Sequence, residues 1–264
     1  MTNPRIYRNG KLDKEASVTF RNRAVPTEPE IESLLRRADK IENEYYRLRA
    51  KAIIGLVKVF GKRRIELTLL EMADIHAEGS LLYITFTIAK KHKKGMFQYI
   101  KFLQDKIKKG EIPIADLSSK SYSELHQAWE TWAKTEEGIK FKIVKKPKAT
   151  PINDKYGKLI FEYYSYMLKH FPRCQYFFPS GVRRYILRND QHLTGRHLLR
   201  IVKQLDKTLW LHLFRKGKGS EVAKKYGRTL DSAFQVKETL DLERTETALR
   251  YIEENVPKLE TGET

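Results

Sequence analysis

Cysteine is nearly absent from this sequence, with Cys174 alone among 264 residues. One thiol excludes a disulfide framework and any zinc site built on cysteine ligands. Long apolar runs are missing as well. The longest, AIIGLV at 52–57, falls far short of the roughly 20 apolar residues that a bilayer-crossing helix needs. The N-terminal MTNPRIYRNG carries no apolar signal region. No internal repeat or low-complexity tract interrupts the chain, and acidic residues are scarce relative to basic ones. Asp and Glu number 33 against 52 Lys and Arg, which leaves a net charge of +19. The expectation is a cytoplasmic, nucleoid-associated protein with no membrane partner.

What is present is a core. At 41% hydrophobic and 11% aromatic residues, the chain can bury apolar surface on a scale that disordered chains cannot. A folded domain this basic is matched to a polyanion, most often nucleic acid. Residues 1–25 are basic and irregular and read as a tail or linker. VPTEPEIESLLRRADK opens a helix, with Thr27 as N-cap, Pro29 and Glu30 in the first turn, and Ile31, Leu34 and Leu35 as its stripe. NEYYRLRAKAIIGLVKVF is a more completely apolar helix that Gly61 ends. RRIELTLLEM reads as helix again, and SLLYITFTIA alternates as a strand does. KKHKKG then reads as a basic turn, FQYIKFLQDKIKK and SYSELHQAWETWAK as two amphipathic helices, and IKFKIVKK as a strand. This pattern predicts a helical insertion at about 95–138 in the tip of a β-hairpin whose return strand is 139–146. A helix at about 154–170, the segment QYFFPS, and a series of helices from 181 onward complete the chain, with 256–264 as a C-terminal tail. The fold class is therefore α+β, mostly helical with a small antiparallel sheet.

Four separated polar constellations stand out against this pattern. In GKRRIEL, Arg63 precedes Glu66 by three residues. Taken alone this is more often a surface ion pair, but it also suits a guanidinium fork held by a carboxylate and aimed at a phosphate. Lys90 and Lys91 end the outgoing strand, with Lys145 and Lys146 on the return strand. Lysines at a hairpin tip are ordinarily solvated. In KTLWLHLFRKGKGS, His212 and Arg215 share one helix face inside a run that otherwise reads as core. Two cationic groups side by side build a poor core and ask for an anion. Tyr251, in RTETALRYIEE, would by itself be a packing residue. GKGS at 217–220 lacks the spacing of a phosphate-cradling loop.

In the order Arg, Lys, His-x-x-Arg, Tyr, these groups resemble the active site of the tyrosine recombinase, or phage integrase, family. FGKRRIELTLLEMADI is similar to that family's first arginine stretch, with Gly61, Arg63, Glu66, Leu67, Leu70, Asp74 and Ile75 in register. VPTEPEIESLLRRA resembles the opening of its catalytic domain, YFFPS the short segment before its His-x-x-Arg helix, and LDLERTETALRYIEE its C-terminal end. SEVAKKYG and ERTETALRYIE are most like archaeal plasmid and virus integrases. The resemblance covers about 26–255 and implies the catalytic-domain fold of that family over this span.

It also implies roles. Tyr251 would be the nucleophile, and Arg63 and Arg215 would clamp the non-bridging oxygens of the scissile phosphate. His212 would bond such an oxygen or help deprotonate the tyrosine. By its distance from Arg63, Lys90 would protonate the departing 5′-hydroxyl, with Lys91 and Lys146 as alternatives. Glu66 would support the first arginine. Lys91, Lys93, Lys94, Arg64, Lys216 and Lys218 would touch DNA. Physically the set is suited to a phosphorane whose charge is met by fixed cations, so neither metal, ATP nor another cofactor is expected. The family's usual His or Trp nine residues before the nucleophile is Leu242 here. Residues 1–25 cannot supply the N-terminal DNA clamp usual in the family, so a catalytic fragment or a naturally short member is expected. Assembly as a tetramer on double-stranded DNA is implied, from a monomer in solution. A DNA-binding relative without catalysis, and a type IB-like topoisomerase that reseals without exchanging strands, share most of these features.

Overall fold

The computed structural model describes residues 7–8, 11–12, 25–113, 122–183 and 186–255. The expected tails at 1–25 and 256–264 fall almost wholly outside the described residues. A two-residue antiparallel ladder, Tyr7–Arg8 with Lys11–Leu12, is described in the first of them.

Helix α1 (Glu28–Asp39) starts as the sequence signals say, with the Thr27 amide and hydroxyl both donating to Glu30 Oε2, at 2.7 and 2.8 Å. Helix α2 (Glu44–Phe60) is the central element, with Asn43 capping it through a bond from the Tyr46 amide. Ala50, Ala52, Ile53, Ile54, Leu56 and Val57 are all fully buried. At about 1.5–3 kcal/mol for each large apolar side chain removed from water, this one helix carries much of the stabilisation. Gly55 lets it approach its neighbour closely, since a β-carbon there would lie 2.8 Å from the Tyr156 carbonyl oxygen. That neighbour is α6 (Lys155–His170), whose Ile160, Tyr163 and Met167 face the same core.

After α2 comes a short helix α3 (Arg64–Thr68), then a 3₁₀ turn at Met72–Asp74. Helix over RRIELTLLEM is thus confined to one turn, because Leu70–Met72 leave it to pair with the segment at 175–177. Strands β1 (Ile75–Glu78), β2 (Leu81–Thr87) and β3 (Lys145–Pro151) form an antiparallel sheet with β2 in the centre. The α+β, mostly helical class with a small antiparallel sheet is what the structure has.

Three further expectations need correction. KKHKKG is not a turn but the start of α4 (Ala89–Lys108). Gly95 serves packing there, as a β-carbon would collide with the Trp129 ring. The return strand is 145–151, not 139–146. Ile139–Phe141 is a 3₁₀ turn, and Phe141 and Ile143 pack on the insertion's own core of Tyr99, Leu103, Trp129, Trp132 and Ala133. Helix α5 (Tyr122–Trp132) completes that insertion, while part of the expected 95–138 span, residues 114–121, is outside the described residues. Finally, the chain after QYFFPS forms a hairpin, β4 (Pro179–Arg183) and β5 (Ile186–His192), before helices resume. Those helices are α7 (Gly195–Leu205), α8 (Leu211–Tyr226), α9 (Leu230–Thr239) and α10 (Thr245–Asn255). The last three enclose a small separate core of Ala223, Ala233, Val236, Leu240, Ala248 and Ile252. Among the described residues, no helix is long and apolar enough to cross a membrane.

Candidate active site

The site is built where the end of α2 meets the start of α8 and the turn between α9 and α10. Gly61 closes α2 in the left-handed conformation, φ 58°, with its amide on the Val57 carbonyl at 3.1 Å. A β-carbon disfavours that conformation, so glycine is the natural cap. Arg63 then takes the N-cap position of α3 and uses its partner twice. Its amide donates to Glu66 Oε2 at 2.9 Å and its Nη1 to Glu66 Oε1 at 2.8 Å. Glu66 is fully buried, while Arg63 keeps its side chain partly open to solvent. The carboxylate thus fixes the guanidinium through a backbone and a side-chain bond.

Helix α8 presents His212 at the surface and buries Arg215, which is 3% exposed. Arg215 Nη1 donates to the Gly61 carbonyl at 2.8 Å, and Nη2 to the Leu240 carbonyl. A guanidinium carries five N–H groups, so two carbonyl acceptors fix its plane without exhausting its donors. Burial, then the neighbouring Arg63 cation, lowers the Arg215 pKa, while Glu66, Tyr251 and Asp241 act the other way. Partial desolvation lowers the His212 pKa below its ordinary value, and Arg215, Arg63 and Lys216 push in the same direction. The imidazole is therefore held towards its neutral form, in which one ring nitrogen accepts a proton.

Tyr251 lies on α10, half-buried, packed on the small core between α8, α9 and α10. Its ring covers Gly219, one turn along α8 from Arg215. Arg63, Glu66, His212, Arg215 and Tyr251, from both ends of the chain, are thus brought into one electrostatic neighbourhood. Leu242, in the position resembling the family's His or Trp, is half-buried and packs on the same core as Tyr251.

The lysines are dispersed. Lys90 falls in the first turn of α4, but its side chain, like that of Lys93, is outside the described residues. Lys91 and Lys94 are exposed on that helix. Lys146 on β3 reaches the α9–α10 turn, 3.0 Å from Glu238 Oε1 and 3.4 Å from Asp241 Oδ1. Lys145 turns elsewhere, to Asp74 at 2.7 Å. Arg64 is exposed and runs beside Gly195, Lys216 is half-buried, and Lys218 pairs with Glu221 at 3.1 Å. Among the described residues, no group of three or more His, Cys, Asp or Glu side chains is placed to hold a metal ion.

Three residues of this neighbourhood, Lys62, Asp241 and Gly219, escaped the sequence reading. Lys62 is 1% exposed and forms a buried ion pair with Asp241. Burial holds the ammonium below the ordinary lysine value, against the pull of Asp241. Within the basic run KRR nothing local distinguishes Lys62 from the exposed Arg64. Gly219 was noticed as part of GKGS, but its packing against a ring 32 positions later leaves no short-range signal.

No protein-family model and no curated protein matches the chain. Among solved structures it is similar to XerH site-specific recombinase bound to difH substrate in a pre-cleavage complex, at 14% identity and TM-score 0.47, over 86% of this chain and 50% of that one. It is similar to XerA recombinase at 13% identity and TM-score 0.49, over 87% of this chain and 60% of that one. A lambda integrase dimer bound to a COC′ core site is similar at 13% identity and TM-score 0.43, over 90% and 51%. The chain thus spans 50–60% of the length of these structures.

Proposed function

We propose that this chain is the catalytic domain of a tyrosine recombinase, an integrase of the archaeal plasmid or virus kind that its sequence resembles. The observation that carries this reading is that Arg215, fixed by the Gly61 and Leu240 carbonyls, lies within electrostatic reach of Arg63, His212 and Tyr251.

In this reading Tyr251 Oη attacks the scissile phosphorus and gives up its proton towards His212. The P–O5′ bond breaks as a lysine, Lys90 in the first instance, protonates the leaving 5′-oxygen. Arg63 and Arg215 meet the charge that grows on the non-bridging oxygens. A fixed cation in a site shielded from water is worth far more there than in solution, and it needs no reorganisation as the reaction proceeds. The product is a 3′-phosphotyrosyl link, which a 5′-hydroxyl from another strand reverses. The bond energy is conserved at each step, so the residues present close the chemical balance without ATP. The partner is double-stranded DNA, with a tetramer on paired sites as the working assembly.

A second reading, a DNA-binding relative without catalysis, is favoured by Leu242 and by the engagement of both Arg215 Nη atoms with backbone carbonyls. Covalent trapping separates the two. The protein is mixed with negatively supercoiled plasmid in EDTA and stopped with SDS, and protein-linked nicked DNA is scored for wild type and Tyr251→Phe. An adduct in wild type alone supports the recombinase and excludes the second reading. An adduct that persists in Tyr251→Phe removes Tyr251 as nucleophile.

A further inference from the structure

The turn between α9 and α10 is held in an unusual way. Asp241 has φ 48° and is the one non-glycine with positive φ among the described residues. Asp tolerates this left-handed conformation better than most residues, but at a cost that the surroundings must offset. The surroundings are two ammonium groups from distant parts of the chain. Buried Lys62 pairs with Asp241 Oδ2, and Lys146 on β3 stands 3.4 Å from Oδ1. Lys146 and Lys148 also hold the preceding turn of α9, through Glu238 Oε1 at 3.0 Å and the Glu238 carbonyl at 3.2 Å. The turn itself is buried, with Asp241 7% and Leu240 0% exposed.

Both ends of this tether lead into the site. Lys62 sits between Gly61, whose carbonyl takes Arg215 Nη1, and Arg63. Asp241 follows Leu240, whose carbonyl takes Arg215 Nη2, and precedes the helix that bears Tyr251. One ion pair therefore bridges the two backbone segments that grip Arg215. We infer that Lys62 and Asp241 are positioning residues: their buried pair locks the Leu240–Asp241 turn against the end of α2, fixing the Arg215 plane and the start of the Tyr251-bearing segment. This rests on the recombinase reading for its chemical consequence, but the anchoring itself does not.

The test uses the whole chain and the double variant Lys62→Met/Asp241→Gly. It removes both charges together, so neither is left buried alone, and glycine accepts the positive φ. The single variant Asp241→Asn, which leaves the Lys62 charge unneutralised, serves as a second probe. Two quantities are read: amide hydrogen exchange across 240–251 relative to the α2 core, and single-turnover adduct formation beside DNA affinity. The expected result is faster exchange confined to 240–251, unchanged DNA affinity, and adduct formation slowed by about tenfold or more, as small misplacements of reacting groups produce. Unchanged exchange in both variants overturns the anchor whatever the activity. Faster exchange with adduct formation at the wild-type rate overturns the positioning role. A wild type that forms no adduct overturns the recombinase reading instead, and the exchange measurement alone then decides the anchor.

Discussion

The ring of Tyr251 lies over the bare α-carbon of Gly219, where an added β-carbon would stand 2.6 Å from both Cδ1 and Cε1. Alanine at a mid-helix position ordinarily stabilises by about 0.5–1 kcal/mol relative to glycine. Here that gain is opposed by collision with the tyrosine and with Leu240 Cδ1, 2.9 Å away. Gly219→Ala is expected to keep its helix content and lose adduct formation by roughly a hundredfold, the scale of an ångström-level displacement of a reacting group. Circular dichroism and single-turnover trapping on one preparation check both halves. An unchanged rate would mean that the ring is free to shift without consequence.

Arg63 and Glu66 make a second prediction. Two bonds join them, one from the backbone and one from the side chain. Arg63→Lys keeps the charge and the backbone bond but loses the planar fork. The buried carboxylate stays paired in part, so the stability loss should not exceed about 1.5–3 kcal/mol, the worth of one charge-assisted bond. Adduct formation should nevertheless fall by about 10²–10³-fold, the usual cost of a missing oxyanion donor. Thermal unfolding beside trapping separates the two effects, and parallel losses would make Arg63 a structural residue.

How far the sequence carried this is visible residue by residue. Arg63 and Glu66 are three apart, and His212 and Arg215 share a helix face, so their pairing was legible from local geometry. The insertion's helices were legible from their stripes of Tyr99, Phe102, Trp129 and Trp132. The return strand was not, because IKFKIV alternates in order to feed the insertion's aromatic core. The true strand, KKPKATP, carries two prolines and few β-formers, which only its place at the sheet edge allows. Lys62 with Asp241, and Gly219 with Tyr251, are long-range pairs whose members look ordinary in their own neighbourhoods.

The acid limb of activity should belong to His212. Partial burial and then Arg215, Arg63 and Lys216 depress its pKa below the ordinary histidine value. The sign follows: the ring is neutral and able to take a proton above that range, and loses this capacity as pH falls through the depressed value. Adduct formation at limiting DNA, which reports the free protein, should therefore decline only below about pH 6.5, the ordinary histidine value. His212→Gln should be slower at neutral pH and should lack that limb. A limb that persists in the variant would assign the titration to another group.

In the proposed reading, the net charge of +19 makes DNA affinity steeply dependent on salt. Arg64 is exposed beside Gly195, next to the arginine that would clamp the phosphate. Arg64→Ala should weaken binding uniformly across DNA sequences and reduce the log–log salt slope by about 1, the share of one phosphate contact. Fluorescence anisotropy across a salt series measures the slope, and an unaltered slope would place Arg64 off the DNA path.

The proton donor to the leaving strand is open to a chemical test. Replacing the bridging 5′-oxygen of the scissile phosphate by sulfur gives a leaving group that departs as a thiolate, with a pKa near the thiol value of about 8.5, and so needs no acid. The variant lacking the true donor is slow on the oxygen substrate and restored on the sulfur one. Lys146 is poorly suited to the role. Burial tends to lower its pKa, but Glu238 and Asp241 outweigh that and raise it, and the same contacts bind the ammonium to the α9–α10 turn. Lys146→Ala should therefore lose activity modestly and equally on both substrates, as a loosened turn would, and Lys91→Ala, expected as a DNA contact, should change binding and not the rate at saturating DNA. Lys90→Ala is the variant expected to recover. Recovery of Lys146→Ala in its place would move the donor from the first turn of α4 to strand β3, and would require the Glu238 and Asp241 contacts to open when DNA binds.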